Sequence, residues 1–201
     1  MSSRDSIVQR NMDAMMSKLN ALQIGSARPM PDKVDDDNIK LSKTFKDSKK
    51  LNQDQRTRLY NEIIKDCISY SIMSIDSKKI DKINILNSTY LAMNFAIENL
   101  EIKPHKIIID GNRFKTDKKI NFECIVGGDN KYLSIAAASI LAKVKRDEIM
   151  CDLNNLFPVY DWKNNKGYGT ISHIEMISKY GLCRFHRKTF KIKNKQLKLT
   201  I

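Results

Sequence analysis

The feature that most constrains the fold is a short, wholly apolar run that ends in a carboxylate. Ile107, Ile108 and Ile109 follow one another and lead directly into Asp110 and Gly111. A continuous run of β-branched residues is typical of a strand buried on both faces, as in a parallel sheet covered by helices. The run therefore predicts an α/β protein with a carboxylate at the C-terminal end of a buried strand.

A second strand and a long helix are predicted downstream of this run. Residues 122–126 have strand character and lead into Gly128 and Asp129. Residues 134–157 are strongly helical, with small side chains near the start that favour close packing on a sheet, and Pro158 stops the helix. Strands and helices thus alternate through the middle of the chain, which is the pattern of the α/β class.

Apolar spacing predicts the other elements. A half-buried strand is expected at 67–75, where Ile68, Tyr70 and Ile72 alternate with serines. Asn52 and Thr170 are candidate helix N-caps, since their side chains accept hydrogen bonds from backbone N–H groups. Helices are expected at 3–22, 53–66, 83–100 and 170–180, and loops at 23–40 and 159–169.

Composition restricts the class of function. The chain has 201 residues, 41% of them hydrophobic, and its 36 basic and 23 acidic residues give a formal net charge of +13. A surplus of this size favours a polyanionic partner, of which nucleic acid is the usual one. The basic stretch 184–198 is either a solvated tail or a phosphate-contacting arm.

Two further patterns bear on the environment of the protein. No apolar run approaches the length of a membrane span, and charges interrupt the N-terminal segment where a secretory signal is apolar, so we expect a cytoplasmic protein that binds no membrane. The cysteines are scattered, which favours reduced thiols over a zinc or redox motif. They are Cys67, Cys124, Cys151 and Cys183.

Asp110 and Asp129 form a candidate pair because each follows a predicted strand. Carboxylate oxygens are the ligands that Mg²⁺ and Mn²⁺ prefer, and phosphodiester hydrolysis commonly uses two such ions. Asp-Gly and Gly-Asp also form ordinary turns, so this spacing alone leaves both interpretations open.

Several blocks of sequence together resemble the type 2 ribonuclease H (ribonuclease HII) family. They occur in the order and at the spacing of that family, over about residues 45–190. The blocks are Asp47 to Leu51, Ile109 to Asn112, Gly128 to Lys131, Ser134 to Asp147, Lys166 to Thr170 with His173, and His186 to Phe190.

The resemblance implies a ribonuclease H-like fold, in which helices flank a mixed sheet and a small helical region lies at the C-terminus. It implies an endoribonuclease that hydrolyses the RNA strand of RNA–DNA hybrids and nicks DNA at embedded ribonucleotides, acting as a monomer with two Mg²⁺ or Mn²⁺ ions. Asp110 and Asp129 resemble two of the family's four metal-binding, catalytic carboxylates, and Asp147 resembles an acidic neighbour of the metal site.

The same resemblance suggests residues that bind substrate. Lys49 and Lys50 resemble phosphate contacts, and Tyr168 resembles the tyrosine that packs at the ribonucleotide–deoxyribonucleotide junction. His186 and Arg187 lie in the family's C-terminal substrate-facing segment. Simpler alternatives stay open: the lysines are also compatible with solvated charges, and Tyr168 with a surface loop.

The chain departs from the family near its N-terminus. The family's strand ending in Asp-Glu-Ala-Gly-Arg-Gly, which supplies two metal ligands and reads the 2′-OH, has no counterpart in residues 22–46. Three explanations are open: a frameshift or misplaced start, a degenerate relative that binds hybrids without cutting them, or replacement acids at Asp32 or Asp35–Asp37. The intact Asp110 and Asp129 favour the first.

This departure shapes the expected domain organisation. We expect an atypical helix and loop at 1–44, a ribonuclease H-like core with an incomplete N-terminal strand hairpin at 45–157, and a substrate-binding helical region with a basic tail at 158–201. Loss of that hairpin would leave either an unpaired strand edge or an uncovered face of the core sheet.

Overall fold

A computed structural model describes residues 51–190 of the chain. These residues form two compact units, one made of residues 51–74 and 89–144, here called the strand unit, and one made of residues 75–88 and 145–190, here called the helical unit. The predicted helix at 3–22 and loop at 23–40, with Lys49 and Lys50, lie outside the described residues. The predicted division at 44 and 157 stays a prediction.

The strand unit begins with helix α1, Gln53–Asp66. The Asn52 side chain accepts a hydrogen bond from the backbone N–H of Gln55, and the Gln55 side chain accepts one from the backbone N–H of Asn52. This capping box satisfies two donors that have no partner inside the helix. The predicted bounds and cap of this helix are confirmed.

A parallel pair of strands forms the sheet of this unit. Strand β1, Lys106–Asp110, pairs with strand β2, Asn121–Ile125, so that Asp110 lies opposite Ile125. Ile107 and Ile109 are fully buried, as expected for a strand covered on both faces. Within residues 51–190 this parallel pair is the sheet, and the α/β class is confirmed.

Two long helices flank these strands in the chain. Helix α2 spans Ser77–Glu98 and helix α3 spans Leu133–Leu156. Helix α2 is broken at Asn84, whose positive φ of 65° lies outside helical geometry, and the Asn84 side chain caps the continuing segment by accepting a hydrogen bond from Asn87 N at 3.0 Å. Asparagine tolerates positive φ better than most residues do, which fits it to this break.

The helical unit continues with two shorter helices. Helix α4 spans Trp162–Asn165 and helix α5 spans Ile171–Tyr180. Thr170 caps α5 by accepting a hydrogen bond from His173 N, and the chain leaves the helix at Gly181 with φ 78°. The predicted cap and stop of this helix are confirmed, whereas the predicted loop at 159–169 contains α4.

The predicted strand at 67–75 is wrong for the described chain, which has only an isolated bridge at Ile72. The apolar side chains that defined the prediction are largely exposed, Ile68 by 51% and Tyr70 by 39%, while Ser71 is only 8% exposed. Short-range alternation gave the wrong face because small serine side chains fit into the interior here. No helix among the described residues is long and apolar enough to cross a bilayer.

Candidate active site

The two strand ends in the strand unit bring the predicted carboxylates into one region. Because β1 and β2 are parallel, their C-terminal ends lie at the same edge of the sheet. The pairing continues one residue past the strands, where Gly111 N donates to the carbonyl of Ile125 at 3.0 Å. Asp110 therefore ends its strand beside the turn that leads to Asp129.

A glycine turn ties Asp110 to the segment that follows β2. Gly127 adopts the left-handed conformation, with φ 66° and ψ 35°, and the next backbone N–H, that of Gly128, donates to Asp110 Oδ1 at 2.9 Å. A Cβ atom at Gly128 would lie 2.5 Å from Ile135 Cδ1, and Ile135 is itself buried. Glycine at 128 thus permits the close approach that orients the Asp110 carboxylate.

Asp129 occupies a different environment from Asp110. It lies in the 3₁₀ turn Gly128–Asn130, where it is buried with only 7% of its surface exposed, whereas Asp110 is exposed. The Asn130 side-chain amide donates to Asp129 Oδ1 at 3.1 Å. A buried carboxylate is tolerated when it is hydrogen-bonded, so this contact helps to hold the side chain in place.

The donor set suits a hard divalent cation in its chemistry. Asp110, at the end of β1, and Asp129, in the turn tied to it through Gly128 N, offer carboxylate oxygens, the ligand type of Mg²⁺ and Mn²⁺. Across residues 51–190, however, no group of three or more His, Cys, Asp or Glu side chains is placed to hold a metal ion. The described part of the chain therefore supplies two carboxylates of the right kind but not a complete set of ligands.

Asp147, the third predicted metal ligand, belongs to the helical unit. The residue is buried, with 4% of its surface exposed. Its Oδ1 accepts hydrogen bonds from Arg146 Nε at 3.0 Å and from Arg146 Nη2 at 2.8 Å. The partly exposed guanidinium of Arg146 offsets the charge of this buried carboxylate. The role of Asp147 at a metal stays a prediction.

Tyr168 is displayed on an anchored turn. Its ring is 65% exposed, while its backbone N–H donates to the carbonyl of Asn165 at 2.8 Å. The Asn165 side chain accepts a hydrogen bond from Gly167 N at 2.9 Å, and Gly167 has the positive φ of 80° that glycine adopts readily. An exposed ring on a fixed backbone suits packing against another molecule.

Sequence reasoning missed the polar network beneath this turn. Asn165 is buried and donates through Nδ2 to the carbonyl of Tyr160 at 2.7 Å. The same carbonyl lies 2.9 Å from His173 Nδ1, and because a carbonyl can only accept, the ring donates from Nδ1. No local signal in the sequence links Asn165 to these residues, because they meet only when α4 and α5 fold.

His186 lies inside an aromatic cluster and not on a surface where it would face substrate. His186 is buried, with 8% of its surface exposed. The centre of its ring lies 4.6 Å from that of Tyr160, 5.2 Å from that of Trp162 and 5.3 Å from that of the stacked His173 ring. Burial, reinforced by the charge that His173 can carry, lowers the pKa of His186 to about 4. The imidazole is therefore neutral at physiological pH.

The protonation pattern of His186 follows from its neighbours. Its Nδ1 accepts a hydrogen bond from Cys183 N at 3.0 Å, so the neutral ring carries its proton on Nε2. Among the described residues Nε2 is buried without a hydrogen-bond partner. In this geometry the His186 ring fixes the turn beginning at Cys183, and the predicted role of His186 in substrate binding stays a prediction.

Asp81, which sequence reasoning also missed, holds the segment after His186. Its carboxylate accepts hydrogen bonds from Lys188 N at 2.8 Å, Thr189 N at 3.0 Å and Thr189 Oγ1 at 2.7 Å. Burial acts to raise the pKa of Asp81, but the hydrogen bonds from Thr189 and Lys188 outweigh it and lower the pKa. In the same segment the guanidinium of Arg187 lies 3.6 Å from the centre of the Phe190 ring.

Comparison with known proteins identifies the class from the fold. The crystal structure of ribonuclease H2 from Pyrococcus horikoshii OT3 matches with a TM-score of 0.64 and 24% identity, covering 82% of this chain and 86% of that chain. The fold is that of a ribonuclease H-like α/β protein. A family model described as Ribonuclease HII matches residues 32–193, and the chain belongs to the ribonuclease HII family.

Curated relatives agree with this assignment. Ribonuclease HII of Christiangramia forsetii is 51% identical over 76% of this chain and 77% of its own length. Ribonuclease HII of Caldicellulosiruptor bescii is 46% identical over 77% of this chain and 74% of its own length. The predicted family and fold class are confirmed, and the chain is an enzyme of the endoribonuclease class.

Proposed function

We propose that this chain hydrolyses the RNA strand of RNA–DNA hybrids and nicks DNA at embedded ribonucleotides, using two divalent metal ions. The observation that carries the proposal is the arrangement of Asp110 and Asp129 around Gly128, at the C-terminal ends of two parallel strands, in a member of the ribonuclease HII family. Paired carboxylates at one sheet edge are suited to phosphodiester hydrolysis, which needs no protein nucleophile.

Asp110 and Asp129 are the residues that would hold Mg²⁺ or Mn²⁺. When bound, such ions lower the pKa of water and neutralise charge on the leaving oxygen. Asp110 is exposed and oriented by Gly128, while Asp129 is buried and held by Asn130. The exposed carboxylate is accessible from solvent, and the buried one is restricted in its motion.

Substrate recognition is assigned to the exposed ring and the basic groups of the chain. Tyr168 presents its ring from an anchored turn and suits stacking on a sugar or base at the junction. Arg187, together with Lys49 and Lys50, supplies positive charge for phosphates. We assign His186 an indirect role in this recognition, because its ring is buried.

The competing proposal is a relative that binds hybrids without cutting them. It draws on the absence of an Asp-Glu pair from residues 22–46 and on the lack of a three-ligand group within residues 51–190. Both proposals predict salt-sensitive binding, since both keep the basic surface. Metal-dependent turnover separates them.

The test is cleavage of a labelled DNA duplex that carries one ribonucleotide, in Mg²⁺ and in Mn²⁺. We expect metal-dependent nicking that falls by at least about 100-fold in Asp110→Asn, because the carboxylate charge is lost while the side-chain shape is kept. The matched control is Asp66→Asn, which removes the same charge from an exposed position at the end of α1 and should nick normally. Absence of nicking by the folded parent chain in both metals would establish the non-cutting relative.

A further inference from the structure

We infer that residues 111–120, here called the basic loop, form a preorganised phosphate-binding surface for the nucleic-acid substrate. The inference rests on the proposed function, because it assigns the partner of this surface as the substrate. The basic loop joins the end of β1 to the start of β2 and contains Arg113, Lys115, Lys118 and Lys119. Because β1 and β2 are parallel, the loop begins beside Asp110 and runs back to the opposite edge of the sheet, where Asn121 pairs with Lys106.

The backbone of the basic loop is fixed by a single asparagine of α2. Asn94 Nδ2 donates to the carbonyl of Lys115 at 2.9 Å, and Asn94 Oδ1 accepts from Thr116 Oγ1 at 2.6 Å. Thr116 Oγ1 also accepts a hydrogen bond from Lys118 N at 3.1 Å. One side chain of the helix thus satisfies both a backbone and a side-chain group in the middle of the loop.

Aromatic packing fixes the basic loop a second time. Phe114 makes edge-to-face contacts with Tyr90 at 6.1 Å and Phe122 at 5.2 Å between ring centroids. Phe114 and Ile120 also pack on the core cluster formed by Ile97, Ile107 and Ile109. A ten-residue connection between strands is therefore held at several points along its length and not only at its ends.

Exposed and partly buried residues alternate along the basic loop, so that most of its charged side chains lie on the exposed side. Phe114, Thr116, Lys118 and Ile120 are partly buried, whereas Arg113, Lys115, Asp117 and Lys119 are exposed. Lys118, on the inner side, forms an ion pair with Glu98. Within residues 51–190 the exposed cations Arg113, Lys115 and Lys119 have no ion pair or side-chain hydrogen bond.

This arrangement fits a sugar–phosphate backbone better than a solvated loop. A surface loop that only needs solubility gains nothing from being anchored by the hydrogen bonds of Asn94 and by an aromatic cluster, whereas a fixed backbone lowers the entropy lost when a ligand binds. The three exposed cations carry positive charge without offering base-specific geometry, so they suit phosphate contacts that position the substrate. The exposed Asp117 is the single opposing charge in the row.

The test measures how salt affects binding to a hybrid that resists cleavage, with 2′-O-methyl groups on its RNA strand, in Mg²⁺. The parent is compared with the triple variant Arg113→Gln, Lys115→Gln and Lys119→Gln. The control triple variant is Lys65→Gln, Lys78→Gln and Lys82→Gln, which removes three charges from exposed positions outside both the basic loop and residues 158–201. Each phosphate contact contributes about 0.9 to the slope of log Kd against log salt concentration.

We expect the loop triple variant to lose about 2 to 3 from that slope and the control triple variant to lose less than about 1. Asn94→Ala, which keeps all three cations but frees the loop, should weaken Kd at fixed salt by roughly 3- to 10-fold and leave the slope unchanged. Equal slopes in the two triple variants would overturn the inference, as would parent-like Kd in Asn94→Ala.

This outcome is separable from that of the proposed function. If the parent chain fails to nick ribonucleotide-containing DNA but the loop triple variant alone loses salt dependence, the surface is supported and the catalytic proposal is not. If the parent nicks and the two triple variants behave alike, the surface is rejected and the catalytic proposal stands. Thermal unfolding of each variant confirms that it is folded before its binding is compared.

Discussion

The strand-end turn and the aromatic cluster each fix the orientation of a polar side chain, Asp110 and His186 respectively, by different means. In the turn, a backbone N–H of Gly128 orients Asp110, and the residues involved lie within 18 positions of one another. In the cluster, His186 is held by packing against Tyr160, Trp162 and His173. A site that depends on local backbone geometry can be predicted from the sequence, whereas a site that depends on side-chain packing can be recognised only once the structure is known.

The largest expected effect tests the cluster. Trp162 is 3% exposed and packs against Tyr160, Phe157 and Phe185. We expect Trp162→Ala to lower the free energy of unfolding by about 3–5 kcal/mol, because it leaves a cavity among the rings. Urea denaturation measures this change. The control Tyr180→Ala, at a ring 53% exposed, should change stability by less than about 1 kcal/mol; equal effects would show that the cluster contributes little.

The next effect concerns pH and the histidine in the cluster. The pKa of His186 is lowered from 6.5 to about 4, so the folded state takes up a proton less readily than the unfolded state does. The stabilisation is fully present above pH 6.5 and is lost as the pH falls toward 4, by an amount on the order of 3 kcal/mol.

His186→Gln should remove this dependence, because glutamine does not titrate. Free energies of unfolding from denaturant titrations between pH 7 and pH 4 measure it, and the parent curve should fall more steeply than that of the variant. His105→Gln is the control, since His105 is exposed and lies outside the cluster. If the His186 variant and the parent lose stability in parallel, the cluster does not keep the ring neutral.

The smallest effect tests the turn. Gly128→Ala places a Cβ 2.5 Å from Ile135 Cδ1, inside a packed region. We expect a loss of about 1–3 kcal/mol in unfolding free energy from overpacking. Nicking should also slow, because the N–H that orients Asp110 is displaced. Gly169→Ala, where the nearest atom to the new Cβ is Ile174 Cδ1 at 4.0 Å, should have parent-like stability.

The sequence predicts well those features that depend on neighbouring residues. The caps at Asn52 and Thr170 follow from side chains that accept hydrogen bonds from backbone N–H groups a few positions away, and the stop at Gly181 follows from the positive φ that glycine adopts readily. The buried strand ending at Asp110 follows from an unbroken apolar run. The carboxylate pair was proposed because Asp110 ends β1 and Asp129 follows β2 after a short glycine turn, and its role at a metal stays a prediction.

Features that depend on distant contacts escaped prediction. Ile68 and Tyr70 show the alternation of a half-buried strand, yet both are exposed, because the rest of the fold decides which face is buried. The burial of His186 and the contacts of Asp81 join residues that share no local pattern. The helix predicted at 83–100 corresponds to the part of α2 after the break at Asn84, and the helical segment from Ser77 to Ile83 was missed.

The hydrogen bonds that Asp81 accepts from Lys188 and Thr189 also bear on the order in which the two units fold during synthesis. These hydrogen bonds join residues that are 107 and 108 positions apart, so their formation closes a long loop. Loop closure costs conformational entropy, which is lost before the contacts that compensate for it have formed. All the described residues of the strand unit have been synthesised once residue 144 is added, whereas the helical unit has its first segment at 75–88 and its last at 190. On a ribosome the strand unit can fold first, and residues 75–88 must wait for the end of the chain.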